Sequence, residues 1–347
     1  MYLKKVLWAT ALLGILICGF IAYQIYSAIF SPNTQFNNQE AYVHIPSDAT
    51  FAEVKTMLEP LLKNMGTFES VASRKGYTSN IKAGKYAIRK GMNNNEIINS
   101  LRSNNIPVKV VFNNQESLAN LAGRIAQQIE ADSLSLIQAL NDPDFLMDQG
   151  FDADTKLGMY IPNTYEFYWN TKAQNFRDRM LKEYNNYWNN DRLKKAETMG
   201  FTPAQVMALA SIVQKETVKV DERPRVAGVY VNRIKKGMLL QADPTVIYAI
   251  KRETGNYDTI IKRVLNRDLE IDSPYNTYKY KGIPPGPIAM PDISSIEAVL
   301  NPEKHEYLFF VADVSNFGYH LFAKTLAQHN RNKTQYIQWL NAQKVMR

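Results

Sequence analysis

Residues 202–217 read TPAQVMALASIVQKET and combine a helix start with a periodic run of apolar residues. Threonine followed by proline is a typical helix start, because the threonine hydroxyl caps the first turn and proline already has a helical φ angle. Apolar residues then recur at helical spacing, at Val206, Leu209, Ala210, Ile212 and Val213. The pattern predicts a helix with one buried side that ends close to Glu216.

Glu216 lies on the apolar side of this predicted helix. At about 100° per residue, its side chain is about 20° from Leu209 and about 40° from Ile212 around the axis. Burial disfavours the charged form of a carboxyl group and raises its pKa, which suits a group that holds and then donates a proton near neutral pH. The structural alternative is a solvated carboxylate that caps the helix end or pairs with Lys219 or Arg223.

Distinctive short blocks continue in order from residue 208 to residue 322. They are ALASIVQKET at 208–217, VAGVYVNRI at 226–234, LQADPTVIY at 240–248, SPYNTY at 273–278, GIPPGPI at 282–288, YLFFV at 307–311 and HLF at 320–322. Together these blocks resemble the signature of the YceG-like endolytic murein transglycosylases, the MltG family. Several blocks in a fixed order are far more specific than one short motif.

The resemblance implies an enzyme that cuts the glycan strands of peptidoglycan internally and without water, between N-acetylmuramic acid and N-acetylglucosamine. Glu216 is then the catalytic acid and base, which protonates the leaving glycosidic oxygen and takes a proton from the substrate's own C6 hydroxyl. The product is a 1,6-anhydro-muramoyl end. The resemblance also implies that the enzyme terminates or releases nascent strands and works with peptidoglycan synthases.

Asp243 is the second carboxylate to consider, because a hydrolytic glycosidase normally uses two. Asp243-Pro244 reads like another helix start, so we predict that the Asp243 side chain caps the helix that follows. If Asp243 instead faces the substrate about 5 Å from Glu216, a peptidoglycan hydrolase at the same site is the alternative. A noncatalytic glycan-binding or synthase-docking protein is a further alternative, and the presence of Glu216 argues against it.

A sugar-binding groove around Glu216 is predicted from the same blocks. Specific sugar sites combine an apolar wall, on which pyranose faces stack, with a few placed polar groups. The candidate substrate-binding residues are Gln241, Asp243, Thr245, Tyr248, Tyr275, Asn276, Thr277, Tyr278 and His320. In the structural alternative the tyrosines belong to the core or its rim, and His320 is a satisfied core histidine. The sequence PPGP at 284–287 predicts a stiff loop that shapes the cleft wall.

The amino-terminal residues predict a membrane anchor. No charged residue occurs between Lys5 and Glu40, and the apolar run over residues 6–23 is long enough to cross a bilayer core of about 30 Å. Lys4 and Lys5 before this run predict a cytoplasmic tail, with the rest of the chain exported to the periplasmic side of the inner membrane. A cleaved signal peptide is the alternative.

The expected fold class is α+β, in four segments. Residues 1–30 form the cytoplasmic tail and transmembrane helix, 31–40 a polar linker, 41–105 a small α/β subdomain, and 106–347 the larger mixed α+β catalytic domain. The small subdomain resembles the LysM-like domain of the family, and whether it binds glycan is open. In the larger domain, one long helix is predicted for residues 175–198.

Composition excludes several other functions. The formal charge of +8 favours an anionic polymer, but no nucleic-acid motif is recognisable. The four histidines lack metal-ligand spacing and Cys18 is the only cysteine, so we expect no metal site and no disulfide. No P-loop, dinucleotide fingerprint or nucleophile elbow is present, and no cofactor is expected.

Overall fold

The chain divides into two compact units in the computed structural model, which describes residues 2–342. The first unit comprises residues up to 110 together with 127–131 and 165–172, and the remaining residues form the second unit. Helices and two-stranded sheets make up the described residues, so the predicted mixed α+β class is confirmed.

The first unit is built on an antiparallel pair of strands with helices packed on it. Its elements are α1 (Tyr2–Phe30), β1 (Glu40–Ile45), α2 (Phe51–Leu58), α3 (Met65–Arg74), β2 (Gly84–Arg89) and α4 (Asn94–Ser103). Strand β1 pairs with β2 in the register that sets Ile45 opposite Gly84. The apolar faces of these elements form one core, in which Ile45, Val54, Phe68 and Ile97 are completely buried.

Helix α1 is the predicted anchor, and it is apolar and long enough, at 29 residues, to cross a membrane. None of its residues is buried in the protein. Its last turn nevertheless contacts the first unit, because Ile29 packs against that core and the Ala28 carbonyl accepts a hydrogen bond from Asn94 at 2.8 Å. These features are consistent with a single-pass anchor.

Two residues of the predicted linker over residues 31–40 are buried in the first unit. Asn33 is buried, and its side-chain amide donates to Asn94 Oδ1 at 2.7 Å. The Thr34 hydroxyl is also buried and accepts from the backbone N–H of Gly91 at 2.8 Å. Polar side chains with such hydrogen-bond partners can be buried. Composition alone therefore does not predict the burial of these two residues.

Helices dominate the rest of the chain. The elements are β3 (Pro107–Phe112), α5 (Leu118–Ala126), α6 (Ser133–Leu140), α7 (Pro143–Asp148), β4 (Asn163–Tyr168), α8 (Ala173–Tyr187), α9 (Asn190–Met199), α10 (Pro203–Glu216), α11 (Arg223–Lys235), α12 (Asp243–Thr254), α13 (Ile293–Leu300), β5 (Phe309–Ala312), β6 (His320–Ala323) and α14 (Leu326–Ala342). The single helix predicted for residues 175–198 is wrong. Two helices occur there, because the Asn189 side chain accepts from the Arg192 N–H and caps a new helix.

Helix α10 is the centre of the second unit. Its start is as predicted, since the Thr202 hydroxyl accepts from the Gln205 N–H while the Gln205 side chain accepts from the Thr202 N–H. Every residue over 206–213 is buried, so the helix is enclosed on all sides rather than on the one side predicted. Helices α11, α12 and α13 pack around it, and a helix enclosed in this way carries its last residue, Glu216, into the interior.

The loop predicted to be stiff, residues 284–287, packs closely against another backbone segment. A Cβ atom on Gly286 would lie 1.9 Å from the Asp154 carbonyl oxygen, so only glycine fits. Just beyond the loop, the Ile288 N–H donates to the buried Ser211 hydroxyl of α10 at 2.9 Å. The loop is thus tied to the helix that carries Glu216.

We expect Gly286→Ala to destabilise the protein by about 1–3 kcal/mol, the usual cost of overpacking. Urea denaturation of the full chain in detergent measures the change. Gly123→Ala is the matched control, because no atom lies within 4 Å of its added Cβ. Alanine is the better helix former, so the control should gain about 0.5–1 kcal/mol. Equal stability of Gly286→Ala and the wild type would contradict the close approach.

Candidate active site

Glu216 is the last residue of α10, and it lines an open cavity of about 400 Å³. Side chains from α10, α11, α12, β5 and α14 form the wall, together with Gln241 and Tyr278. The Glu216 side chain is half-buried. The predicted acid is therefore shielded from bulk water and still reachable from a crevice.

Tyr230 of α11 holds the Glu216 carboxyl group. The Tyr230 hydroxyl donates to Glu216 Oε1 at 2.7 Å. Tyr230 is only 1% exposed. Its ring packs edge-to-face against the ring of Phe310. A buried, packed phenol has little freedom, so this hydrogen bond also fixes the orientation of the carboxyl group.

The ion pairs of the structural alternative are not formed. Arg223 instead pairs with Asp292 at 2.8 Å, and the Lys219 ammonium lies over the Tyr319 ring. Glu216 is therefore not a solvated carboxylate held by these two cations.

Burial raises the pKa of the Glu216 carboxyl from its ordinary 4.5 to about 7. The Tyr230 hydrogen bond favours the ionised form and opposes this rise, whereas the negative charge of Asp243 adds to it. The carboxyl also lies at the C-terminal end of a helix, where the partial negative charge of the last carbonyls disfavours another anion. Near neutral pH a substantial fraction of Glu216 therefore carries the proton that a general acid needs.

The prediction that Asp243 caps α12 is wrong. The helix begins at Asp243 itself, Ala242 occupies the cap position, and no side chain caps the helix. Asp243 Oδ1 instead accepts a hydrogen bond from the Tyr278 hydroxyl at 2.5 Å, so this carboxylate serves Tyr278 and not the helix end. Asp243 is exposed and lines the same cavity as Glu216.

Gln241 also lines this cavity, and its backbone has an unusual conformation. Its φ angle is 51°, in the left-handed region that non-glycine residues rarely adopt. Thr277 supports this turn, since its carbonyl accepts from the Gln241 N–H at 3.1 Å and its hydroxyl accepts from the Ala242 N–H at 3.0 Å. The buried hydroxyls of Thr277 and Thr245 lie 2.8 Å apart. These two threonines hold the turn that presents Gln241 and Asp243.

Tyr275 and Asn276 are completely buried. The Asn276 amide donates to the carbonyls of Leu269 and Ile271, each at 2.8 Å. The Tyr275 hydroxyl donates to a carboxylate oxygen of Asp154 at 3.3 Å. Both side chains thus hold the loop that carries Tyr278 to the cavity.

The remaining candidates, Tyr248 and His320, also lie outside the cavity that contains Glu216. Tyr248 packs on Tyr275, with ring centres 4.8 Å apart, and lines separate cavities beside Lys251 and Arg252. His320 of β6 is paired with Glu222. Of the nine candidates, the structure brings Gln241, Asp243 and Tyr278 to Glu216.

His320 donates twice to the buried carboxylate of Glu222. Its backbone N–H reaches Oε1 at 2.7 Å, and its Nδ1 reaches Oε2 at 2.8 Å. Burial opposes ionisation of Glu222, but the hydrogen bonds from His320 outweigh it and lower the pKa of Glu222. An ionised carboxylate can only accept, so Nδ1 carries the hydrogen. This arrangement is the satisfied core histidine of the structural alternative.

Sequence reasoning missed Tyr230, Arg233, Phe309, His329 and Lys333, which all line the cavity. Tyr230 and Arg233 lie in the block at 226–234, so the block itself was the signal for them. His329 and Lys333 belong to α14, and no local pattern indicates what that helix covers. Within residues 2–342, no three His, Cys, Asp or Glu side chains cluster to hold a metal ion.

A half-buried acid of raised pKa in an open cavity defines an enzyme site that exchanges a proton with its ligand. The sequence model of the YceG-like family matches residues 43–335. The chain is 32% identical over 337 residues to the endolytic murein transglycosylase of Bacillus subtilis (strain 168), covering 91% of this chain and 90% of that protein. The chain therefore belongs to the YceG-like family, which confirms the resemblance.

Two more distant comparisons agree. The endolytic murein transglycosylase of Streptococcus pneumoniae serotype 2 is 27% identical over 92% of this chain, which spans 62% of the length of that relative. A crystal structure of a YceG-like protein from Listeria monocytogenes superposes with a TM-score of 0.58 at 29% identity. That match covers 85% of this chain and 99% of the Listeria chain.

The raised pKa of Glu216 predicts a pH-dependent stability. Between the ordinary value of 4.5 and the folded value of about 7, the folded chain binds more protons at this site than the unfolded chain. Stability therefore falls as the pH rises through this interval and levels off above it. We expect the wild type to lose stability relative to Glu216→Gln between about pH 5 and about pH 7.5.

Urea denaturation of both proteins at several pH values measures this difference. Glu253→Gln changes an exposed glutamate of α12 in the same way and serves as the control. Its pH profile should follow that of the wild type. Parallel profiles for the wild type and Glu216→Gln would contradict a raised pKa at Glu216.

Proposed function

We propose that this chain is a membrane-anchored endolytic transglycosylase that cuts peptidoglycan strands between N-acetylmuramic acid and N-acetylglucosamine and leaves 1,6-anhydro-muramoyl ends. As a member of the YceG-like family with relatives named endolytic murein transglycosylase, it is an enzyme of the lytic transglycosylase class that acts on peptidoglycan. The observation that carries the mechanism is the half-buried acid Glu216, with its pKa raised to about 7.

In this mechanism protonated Glu216 donates its proton to the glycosidic oxygen while the bond from that oxygen to C1 of the muramoyl residue breaks. The C6 hydroxyl of the same muramoyl residue attacks C1, and the Glu216 carboxylate accepts the proton of that hydroxyl. Glu216 ends in its starting state, and no water is consumed. Lytic cleavage of this kind needs one carboxyl group, whereas hydrolysis normally needs two.

Tyr230 supports both proton transfers. Its hydroxyl donates to Oε1 of Glu216, so the second carboxyl oxygen is the one available to the substrate. A hydrogen bond to the ionised form stabilises the carboxylate that exists midway through the reaction. Because Tyr230 is buried and held by packing, the transferring oxygen keeps one orientation.

We assign sugar contact to Gln241, Asp243 and Tyr278. The Tyr278 ring lines the cavity and its hydroxyl is held by Asp243, which leaves the aromatic surface for a pyranose face. The other candidates then support the groove from behind: Thr245, Tyr248, Tyr275, Asn276 and Thr277, which are buried, and His320, which is half-buried.

Membrane anchoring and partners belong to the same proposal. Lys4 and Lys5 precede the apolar helix α1, which supports a cytoplasmic tail with the catalytic unit exported to the periplasmic side. The family resemblance supports a LysM-like role for residues 41–105, partnership with peptidoglycan synthases, and the release or termination of nascent strands.

A peptidoglycan hydrolase is the second candidate, because Asp243 lines the same cavity as Glu216. A carboxylate there is in a position to act as nucleophile or to activate water. Its hydrogen bond from Tyr278 favours instead a role in orienting the aromatic wall. The products of the two reactions differ by one water molecule.

Glu216→Gln is expected to lower glycan cleavage by about 10²–10⁴-fold, because an amide neither donates nor accepts the transferred proton. Mass spectrometry of uncrosslinked glycan strands, after incubation with wild type or variant, measures the anhydro ends. Glu253→Gln is the matched control and should cleave like the wild type. Binding of Glu216→Gln to sacculi should be unchanged. Undiminished turnover in this variant would remove Glu216 from the reaction.

Asp243→Asn distinguishes the two candidate reactions. In a transglycosylase the substitution weakens only substrate orientation, so we expect a loss of about tenfold or less with anhydro ends retained, whereas a catalytic carboxylate is worth about 10²–10⁴-fold. The reaction is run in isotopically labelled water. Incorporation of label into the new sugar ends by the wild type, together with the larger loss of rate in Asp243→Asn, would support the hydrolase instead.

A further inference from the structure

The C-terminal helix α14 forms one wall of the Glu216 cavity, yet it takes no part in the proton transfer. His329 and Lys333 of this helix line the cavity together with Leu326. His329 and Lys333 are four residues apart, so they lie on the same helix face, one turn from each other. His329 is half-buried and Lys333 is exposed.

A third basic side chain meets this wall from another helix. The Arg233 guanidinium of α11 lies 5.2 Å from the centre of the Phe309 ring. The His329 imidazole stacks on the same ring, with the centres 5.3 Å apart and an angle of 24° between the planes. Phe309 thus links Arg233 and His329, and Lys333 extends the basic surface along α14.

The hydrogen bonds of Arg233 do not neutralise its charge. They run to the backbone carbonyls of Leu308 at 2.6 Å and Leu240 at 2.7 Å, which carry no formal charge. The acidic residues of the cavity are Glu216 and Asp243. Asp243 is held by the Tyr278 hydroxyl, and Glu216 is partly protonated near neutral pH. The α14 side of the cavity therefore favours an anionic group.

His329 Nδ1 is buried and has no hydrogen-bond partner among the described residues. A buried polar atom without a partner is uncommon and indicates that a water or ligand group belongs there. Burial, Lys333 and Arg233 lower the pKa of His329, so at neutral pH its ring is uncharged. It then offers a hydrogen bond beside the charge of Lys333.

We propose that α14 is the substrate-recognition helix of this site, where Lys333 and His329 bind a carboxylate on the lactyl substituent of the muramoyl residue next to the bond that is cleaved. This inference rests on the proposed function, because the lactyl group is specific to a peptidoglycan substrate. The carboxylate has two sources: the stem peptide attached to the lactyl group, or the lactyl carboxyl itself where the peptide is absent.

Three substrates separate these sources. They are uncrosslinked strands that carry stem peptides, strands from which an amidase has removed the peptides, and the same peptide-free strands after chemical amidation of the lactyl carboxyl. Kinetics on each are measured with the full chain in detergent. The variants are Lys333→Glu, which reverses the charge, and His329→Phe, which retains a ring on Phe309 but removes both nitrogens.

Lys333→Glu is expected to raise KM by about tenfold on the substrates that present the recognised carboxylate, with kcat little changed, as for loss of one charge-assisted hydrogen bond. A defect confined to peptide-bearing strands assigns recognition to the stem peptide. A defect confined to the peptide-free strands with an unmodified lactyl carboxyl assigns recognition to that carboxyl. A defect on these strands and on the peptide-bearing strands shows that the site binds a carboxylate from either source. His329→Phe should raise KM by a smaller factor on the same substrates. Added salt should raise the KM of the wild type more than that of Lys333→Glu.

Arg331→Glu is the matched control, because it makes the same charge change at an exposed position of α14, about 160° around the helix from Lys333. Its kinetics should equal those of the wild type. An equal defect of Lys333→Glu on all three substrates, or wild-type KM in that variant, overturns the recognition role. If the wild type releases no anhydro ends from any strand, the proposed function itself fails, and this inference fails with it.

Discussion

The chemistry that we propose for this protein depends on keeping one carboxyl group out of water while leaving it reachable. Glu216 meets both conditions because α10 is buried on all sides and its last turn opens into a cavity. Desolvation is the largest influence on this group, and it prevails over the hydrogen bond from Tyr230. On the solvent-facing side of a surface helix the same glutamate would not be desolvated, and this cause of a raised pKa would be lost. In the proposed mechanism, the packing of α11, α12 and α13 around α10 is thus a catalytic requirement as well as a structural one.

Part of the cavity wall, at Gln241 and Tyr278, comes from loops, and buried polar groups give those loops their shape. The paired hydroxyls of Thr245 and Thr277 hold the turn at Gln241, whose φ of 51° is costly for a non-glycine residue. Asn276 satisfies two backbone carbonyls behind Tyr278. Such networks keep the loops in one conformation, because a broken hydrogen bond in the interior leaves an unsatisfied polar group. Residues with no access to substrate therefore determine where the substrate-facing ones stand.

Local patterns were sufficient to predict the elements that local interactions determine. The Thr202-Pro203 helix start and the spacing of apolar residues predict α10 and an end close to Glu216, because both signals lie within one helix. Asp243 shows the limit of this reasoning. Its neighbours favour a cap, but Tyr278, far along the chain, takes its carboxylate instead. The contribution of α14 to the site has no local signal at all, since it depends on how a distant helix packs on β5.

A basic wall close to a general acid creates a conflict, because positive charge favours the carboxylate and lowers its pKa. Arg233 lowers the pKa of Glu216 in this way, but two features limit the contribution of α14. Lys333 is exposed, where water and salt screen its charge, and His329 is uncharged at neutral pH. A substrate carboxylate bound at this wall then changes the balance, since it offsets the positive charge and adds a negative one near Glu216. If both proposals hold, protonated Glu216 becomes more favourable when the substrate binds, so the group that recognises the substrate also prepares the acid that cleaves it.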